Sequence, residues 1–259
     1  MALPSIVIML ITGFYNIADT FFVGKLSTQA TAAVGVVFSV MFFVQAIGFF
    51  FGHGSGNYIS RELGAQRHDN AQRMASTGFF LSFTLGIAVL LIGEACITPL
   101  SLWLGSTPTI LPYTEQYLGI SLLGTPFFTS SLTMNNQMRF QGNARLALWG
   151  ILSGAIVNVL LDPLFIFVFD MGVAGAALAT VIGQFVSFLI LLRMTYLGGN
   201  IRYSWRNFTP KVALFKEIIA GGTPSLSRQG LACIAMILLN TAASVYGDVA
   251  IAAMSIVSR

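Results

Sequence analysis

The chain has 259 residues, of which 56% are hydrophobic and only 8% are charged, with a net charge of +4. Soluble globular domains carry roughly 25% charged residues, so this chain has too few charges to cover a water-facing surface. Together with a mean hydropathy of +0.81, the composition excludes a soluble protein and indicates a polytopic membrane protein.

Seven stretches of the sequence are long and apolar enough for membrane-spanning helices, which need about 20 mostly apolar residues. An eighth begins near Val249 and is interrupted where the sequence ends, at Arg259. The sequence therefore predicts an all-α fold. The seven predicted spans cover residues 4–24, 31–55, 75–97, 117–138, 147–169, 173–195 and 218–245.

The basic residues concentrate in every second connection between these spans. Lys and Arg are enriched in cytoplasmic loops, so the pattern predicts a cytoplasmic N-terminus and a multi-pass protein of the cytoplasmic (inner) cell membrane. The net positive charge is then a signal of topology and implies no nucleic-acid partner. The residues concerned are Arg61, Arg67, Arg73, Arg139, Arg145, Arg193, Arg202, Arg206, Lys211 and Lys216.

One pattern occurs twice, at an offset of 220 residues. "LPSIVIML" at 3–10 and "TPSLSRQG" at 223–230 each begin a span, and an Ala-Ala pair follows 28 residues after each proline. Six spans separate the copies, so both enter the membrane in the same direction, as in the parallel repeats of secondary transporters. The organisation predicted is a six-helix lobe at 1–197, a cytoplasmic linker at 198–217, and helix 7 with the start of helix 8 of a truncated second lobe at 218–259.

The predicted linker contains "NIRYSWRNFTPKVALFKEI", which is both basic and aromatic. Such a segment suits the anionic cytoplasmic surface of a lipid bilayer. A solvated loop is the other interpretation of the same residues.

Two carboxylates, Asp19 and Asp162, lie within predicted spans, where ionisable residues are costly and indicate function. Each lies about 15 residues, or roughly 22 Å, from the inner end of its span, and Thr180 lies at a matching depth. Asn158 precedes Asp162 by one helical turn. These oxygens are hard ligands that suit Na⁺, and a pair sharing one proton equally suits H⁺. Alternatively, each aspartate only hydrogen-bonds its helix neighbours.

Four other features of the predicted spans each have two possible structural interpretations. Pro163 removes a backbone donor and suits either a packing kink or a coordination site. His53 either lines a polar path or packs with its polar atoms satisfied. Asn135 either reaches a cavity or caps the end of its helix, and the glycines at 52–56 let their helix pack closely or unwind.

The motifs "YNIADTFFVGKL", "GSGNYISRELGA", "RFQGNAR" and "NVLLDPLFIFVFDMGVAGAALAT" resemble the multidrug and toxic compound extrusion (MATE) family in its bacterial form. The resemblance covers the whole chain. It implies two six-helix lobes that export organic cations and other amphipathic compounds in exchange for Na⁺ or H⁺, with no cofactor besides the coupling ion. Function would then require the second lobe, which this sequence lacks.

The resemblance also implies roles for individual residues. A cation-coupling site in the first lobe would comprise the residues Asp19, Asn158, Asp162 and Thr180, with the two aspartates as Na⁺ ligands if coupling is by sodium. Tyr15 and Asn135 would face the substrate cavity, and Pro4 is where the first helix would bend. Some relatives have an acidic residue early in helix 7, where this sequence reads "SLSRQG", which favours coupling in the first lobe.

Three other functions fit the sequence less well. An intramembrane protease would need His-Glu-x-x-His or Gly-x-Gly-Asp, and neither occurs, so no enzyme is expected. An ion channel would need a legible selectivity filter. A lipid-linked oligosaccharide flippase of a related two-lobe superfamily is the serious alternative, but it would need several cationic residues in its cavity, whereas the intramembrane charges predicted here are acidic.

Overall fold

The computed structural model of the chain describes residues 20–197 and 199–258, and the regular structure in these ranges is entirely helical. Residues 20–24 are helical, a π-helical turn at Leu164–Val168 extends α6, and a 3-10 turn lies at Trp205–Asn207. The predicted all-α class is confirmed. The helices are α1 (Thr28–Gly64), α2 (His68–Ala95), α3 (Ile97–Trp103), α4 (Leu111–Leu123), α5 (Thr125–Phe140), α6 (Ala144–Pro163), α7 (Gly172–Tyr196), α8 (Val212–Ser244) and α9 (Asp248–Ser258).

Five of the described helices are long and apolar enough to cross a membrane: α1, α2, α6 with its π-helical turn, α7 and α8. They coincide with five of the predicted spans, and the chain is a multi-pass membrane protein. α1 and α2 extend beyond their apolar runs, to Gly64 and from His68. Hydropathy did not predict these extra turns because their residues are polar.

The predicted span 117–138 is not one helix. It divides at Gly124 into α4 and α5, and Pro126 lies in the first turn of α5. A proline has no N–H to donate to the preceding turn, so it is tolerated where a helix begins and breaks one that would continue. The Thr125 hydroxyl, a single donor, lies within hydrogen-bond distance of the carbonyls of Leu122 and Gly86, at 2.8 and 3.0 Å.

The connections alternate between two ends of the helix bundle, and contacts tie α8 and α9 to the rest at both. At the end that carries the predicted cytoplasmic loops, Arg61 Nη2 lies 2.7 Å from Glu217 Oε2. At the opposite end, the hydroxyls of Thr107 and Thr109 donate to the Asp248 carboxylate, at 2.5 and 2.6 Å.

α1 and α8 cross at very close range through glycines. A Cβ on Gly54 would lie 2.3 Å from the Ile218 carbonyl oxygen, and one on Gly222 would lie 2.4 Å from that of Phe50. Small residues allow membrane helices such close approach. α1 is continuous through 52–56, so the glycines serve close packing, and the helix does not unwind there.

The helix boundaries support the repeat. The starts of α1 at Thr28 and α9 at Asp248 are 220 residues apart, as are the helix ends at Gly24 and Ser244. Gly35 and Ser255, also 220 apart, touch: a Cβ on Gly35 would lie 2.4 Å from Ser255 Cβ. Equivalent residues of two parallel copies meet where a twofold axis passes between them. The lobe boundaries themselves stay a prediction.

The linker is docked on the helix bundle by its own backbone. The N–H groups of Ser204 and Thr209 donate to the hydroxyls of Ser76 and Thr77 on α2, both at 3.2 Å. Trp205 stays 71% exposed. Neither the lipid-surface nor the solvated-loop interpretation anticipated this attachment, because it depends on hydroxyl groups more than 120 residues away in sequence.

Tyr203 is the buried anchor of the linker. Its hydroxyl donates to Gln137 Oε1 at 2.7 Å, and Gln137 Nε2 donates to Ser55 Oγ at 2.8 Å. Burial is the main cause that raises the pKa of the Tyr203 hydroxyl, and the electrostatic effect of the nearby Tyr196 raises it further. The hydroxyl therefore stays protonated at physiological pH and continues to donate this bond.

Candidate functional site: a cavity inside the first lobe

A cavity of about 420 Å³ lies among α1, α4, α5, α6 and α7. Pockets for drug-sized ligands are typically about 300–1,000 Å³, so the volume suits a small organic molecule. Its apolar wall is mainly aromatic, with one thioether, and such side chains adapt to ligands of different shape. This wall includes Phe38, Met41, Phe42, Phe49 and Phe128.

Asn158 and Thr180 face the cavity and are hydrogen-bonded to each other, with 3.2 Å from Asn158 Nδ2 to Thr180 Oγ1. Their meeting depends on a glycine contact between α6 and α7. A Cβ on Gly154 would lie 2.5 Å from the Gly183 carbonyl oxygen, and one on Gly183 would lie 2.8 Å from that of Gly154. This contact brings together Asn158, one turn after Gly154, and Thr180, nearly one turn before Gly183.

Asp162 lies one turn beyond Asn158 on α6 and is completely buried. Directly after it, at Pro163, the helix changes from α to π geometry. The missing N–H of a proline disturbs the regular hydrogen-bond ladder, and π-helical turns occur frequently at functional sites. Pro163 thus marks a change of helix geometry beside the carboxylate, and both the kink and the coordination-site interpretations fit it.

Three residues of the predicted site, Asp19, Tyr15 and Pro4, lie outside the described residues. Asn135 lies in the cavity wall, which is the first of its two interpretations. Its side chain also donates to the Ala147 carbonyl at 2.8 Å, so it lines the cavity and joins α5 to α6.

His53 matches the packing interpretation. Its ring stacks on Phe49 at 5.4 Å between centroids, and Nδ1 lies 2.9 Å from Ser225 Oγ on α8. It is not among the described residues that line the cavity.

Sequence reasoning missed several polar residues of the cavity wall. Gln184 follows Thr180 by one turn, and that spacing was the available signal. Ser121 and Ser131 gave no signal, because hydroxyl groups are common in membrane helices. Arg139 was assigned to a cytoplasmic loop but lines the cavity, and it is the charged member of the described lining.

Comparison with known protein families matches residues 4–164, more than half of the chain, to the MatE family. The curated relatives include the multidrug export protein MepA of Staphylococcus haemolyticus (strain JCSC1435). It is 28% identical over 260 residues, which is 100% of this chain and 58% of that protein. The chain thus spans little more than half the length of this relative, which is named as an export protein and not as an enzyme.

Solved structures give the same result. An inward-facing multidrug resistance MATE family transporter of the MOP superfamily superposes with a TM-score of 0.87 at 28% identity, covering 93% of this chain and 56% of that one. An outward-facing conformation of such a transporter superposes with a TM-score of 0.85, also at 28% identity, covering 96% and 56%. The fold of this chain is therefore similar to transporters solved in either conformation.

Proposed function

Because the chain belongs to the MATE family, we propose that it forms part of a secondary active exporter that moves amphipathic organic cations out of the cell in exchange for Na⁺ or H⁺. One observation carries this proposal. A buried carboxylate, Asp162, lies one helical turn from the Asn158–Thr180 pair, and that pair forms part of the wall of a drug-sized cavity.

The coupling proposed depends on exchanging one positive charge for another. An ionised carboxylate in a dry interior is costly unless it is paired. Either Na⁺, held by carboxylate, amide and hydroxyl oxygens, or one proton would reduce the net charge of Asp162 and its expected partner Asp19 from −2 to −1. A cationic substrate favours the ionised pair instead.

The two cargoes thereby stabilise different states. A ligand shifts a conformational equilibrium only through its differential affinity for the two states, and the charge of the pair supplies that difference. Ion entry favours release of the drug, and drug binding favours release of the ion. A bend of the first helix near Pro4 and a location in the cytoplasmic membrane with the N-terminus inside complete the proposal.

The test is Asp162→Asn in the natural full-length protein, reconstituted in proteoliposomes. The amide keeps the shape but cannot change its charge, so we expect normal insertion and at least a hundredfold loss of ion-driven ethidium transport. Asp170→Asn is the matched control, because Asp170 is exposed and has φ +53°, a conformation that asparagine tolerates well. Full ion-driven transport by Asp162→Asn would show that Asp162 is only structural.

The lipid-linked oligosaccharide flippase stays the second candidate, because Arg139 in the cavity wall offers a cation to a phosphate. A single arginine falls short of the several cations that a pyrophosphate would need. Arg139→Gln separates the two functions: a flippase would lose its activity, whereas a cation exporter would keep at least half of its transport rate.

A further inference from the structure

Three aromatic rings form an exposed cluster where the linker docks on α2. The Trp205 ring lies 4.7 Å from the Phe80 ring, edge to face, and 5.6 Å from the Phe208 ring, stacked, measured between centroids. The rings of Phe80 and Phe208 are also in contact, at 5.9 Å. Trp205 nevertheless remains 71% exposed. Its two neighbours therefore hold the indole in one place and leave most of its surface for a further partner.

The position of Phe80 places this aromatic cluster at the border of the membrane. The apolar run of α2 begins at residue 75, so Phe80 lies about 7 Å inside it at 1.5 Å per residue. The preceding residues, "HDNAQR" at 68–73, are mostly polar. Tryptophan is enriched at such borders because its ring is apolar and its N–H can reach water or headgroups. We therefore expect the exposed surface of Trp205 to meet lipid near the level of the headgroups.

Three exposed arginines surround the aromatic cluster: Arg73, Arg202 and Arg206. Arg206 directly follows Trp205 in the linker, and Arg202 precedes it by three residues. Arg73 lies one turn before the two α2 hydroxyl groups that accept the linker N–H groups, so it is on the face of α2 where the linker docks. None of the three arginines forms an ion pair within 4.0 Å with a described carboxylate.

The carboxylates described at this end of the bundle do not neutralise these arginines. Glu217 is paired with Arg61 at 2.7 Å, and Glu62 lies 3.9 Å from Arg67. The third carboxylate, Asp69, is exposed and lies one turn before the arginine of α2. Three positive charges beside the cluster are thus accompanied by one negative charge that is not already paired. The surface has a net positive charge, which suits an anionic partner.

The partner must combine negative charge with apolar groups. A free phosphate would neutralise the arginines but would leave the exposed indole uncovered. A phospholipid without net charge would cover the indole but would not compensate the charge of the arginines. An anionic phospholipid such as phosphatidylglycerol meets both needs, because its phosphate accepts charge-assisted hydrogen bonds from arginine and its acyl chain begins at the depth of the rings.

We propose that the docked linker and α2 form a binding site for an anionic phospholipid. Arg73 and Arg206 hold the phosphate, and Trp205 contacts the glycerol region and the upper part of an acyl chain. The site is separate from the cavity and depends neither on the cargo nor on the coupling ion. A lipid bound there touches both α2 and the linker, so it also stabilises their contact.

Trp205 can report on this site itself, because brominated acyl chains quench tryptophan fluorescence only at close range. The natural full-length protein is reconstituted in phosphatidylcholine vesicles with a minority of phosphatidylglycerol, and bromine is placed on the phosphatidylglycerol or on an equal amount of the phosphatidylcholine. The quenching that is lost in Trp205→Phe belongs to Trp205. Each arginine near the lipid surface changes the affinity about fivefold, so two of them should give a roughly twentyfold preference for phosphatidylglycerol at Trp205.

The double variant Arg73→Gln/Arg206→Gln should lose this preference, and Arg73→Lys/Arg206→Lys should keep most of it because the charge remains. The matched control is Arg145→Gln/Lys216→Gln, which removes two exposed cations from the same end of the bundle. We expect the control to keep the preference, since neither of its residues lies beside Trp205 in sequence or on the docking face of α2.

Equal quenching of Trp205 by the two lipids in the unaltered protein would overturn the proposal. So would the absence of quenching by either lipid, because the indole would then face water. An equal loss of preference in the control variant would replace the site by a diffuse attraction between the basic surface and the bilayer. Inorganic phosphate in the buffer should leave the ratio unchanged; its loss would mean that the arginines bind a free anion.

Discussion

The hydroxyl oxygen of Thr180 has one observed contact and one proposed role. It accepts the Asn158 side-chain N–H at 3.2 Å, and it is one of the oxygens proposed to surround the coupling ion. Losing this acceptor would leave a buried amide N–H unpaired, which typically costs about 1–3 kcal/mol. The hydroxyl thus fixes the orientation of Asn158 before any ion arrives.

We predict that Thr180→Val raises the ion concentration needed for half-maximal transport by about fivefold to tenfold, because one lost hydrogen bond corresponds to roughly 1 kcal/mol. Thr180→Ser restores the hydroxyl and should stay within about twofold of the unaltered protein. Ion titration of drug transport in proteoliposomes measures both. Equal effects of the two substitutions would mean that the oxygen at position 180 takes no part in coupling.

For individual residues, the sequence signal that identified site candidates was a polar side chain within an apolar span. Asp162 and Asn158 stand out because carboxylates and amides are rare in membrane spans. Ser121 and Gln184 did not stand out, since serine is common in such helices and a single glutamine near a helix middle has many structural explanations. Their place in the cavity wall depends on the break at Gly124, which no periodicity predicts.

Gly154 and Gly183 set the distance between α6 and α7. Each glycine lies against the backbone carbonyl of the other, so neither tolerates a side chain without moving a whole helix. Asn158 and Thr180 hydrogen-bond only while this spacing is kept. The same two glycines thereby determine both the packing of the lobe and the geometry of the candidate ion site.

We predict that Gly154→Ala destabilises the protein, since its Cβ would lie 2.5 Å from the Gly183 carbonyl oxygen. Overpacking of this kind typically costs about 1–3 kcal/mol, and the midpoint of thermal unfolding in detergent should fall by roughly 3–10 °C. Gly230→Ala on α8 is the control: a Cβ there meets nothing within 4 Å, and alanine is the better helix former. A midpoint unchanged in Gly154→Ala would show that the helices can separate at little cost.

The sequence predicted helix ends correctly where apolar runs ended in polar loops. The prediction failed where a single residue decided the boundary. The α4–α5 break requires Pro126 within an apolar run, a signal that also fits a kink in one continuous helix. The docking of the linker depends on Gln137, Ser76 and Thr77, and nothing local to the linker reveals that these residues are its partners.

Over the whole molecule, α8 and α9 contact the preceding helices at both ends of the bundle, in addition to the close glycine contact between α1 and α8. Arg61–Glu217 lies at one end and Thr107 and Thr109 with Asp248 at the other. The Arg61 pair is largely exposed, and exposed ion pairs contribute only about 0–1 kcal/mol. The Arg61–Glu217 pair therefore adds little to the attachment of α8.

We predict that cysteines placed at His68 and Arg202 react with a membrane-impermeant maleimide only from the cytoplasm, and that one at Pro108 reacts only from outside. All three positions are exposed, and the distribution of Arg and Lys assigns their sides. Cys96 is exposed, so it must first be replaced by serine. Reaction of the residue at position 108 from the cytoplasmic side would invert the topology.

The attachment of the linker also decides where the protein can hinge. Hydrogen bonds from Tyr203, Ser204 and Thr209 hold this segment against α2 and α5, so we expect it to keep its position relative to these two helices. Any change in the tilt of α8 must then be taken up between Thr209 and the start of α8 at Val212. Pro210 lies within this short stretch, and its ring fixes φ near −65°, which leaves few torsions for the movement. We therefore expect residues 210–211 to act as a short, stiff joint between the docked linker and α8, through which a movement of α8 would also displace α2.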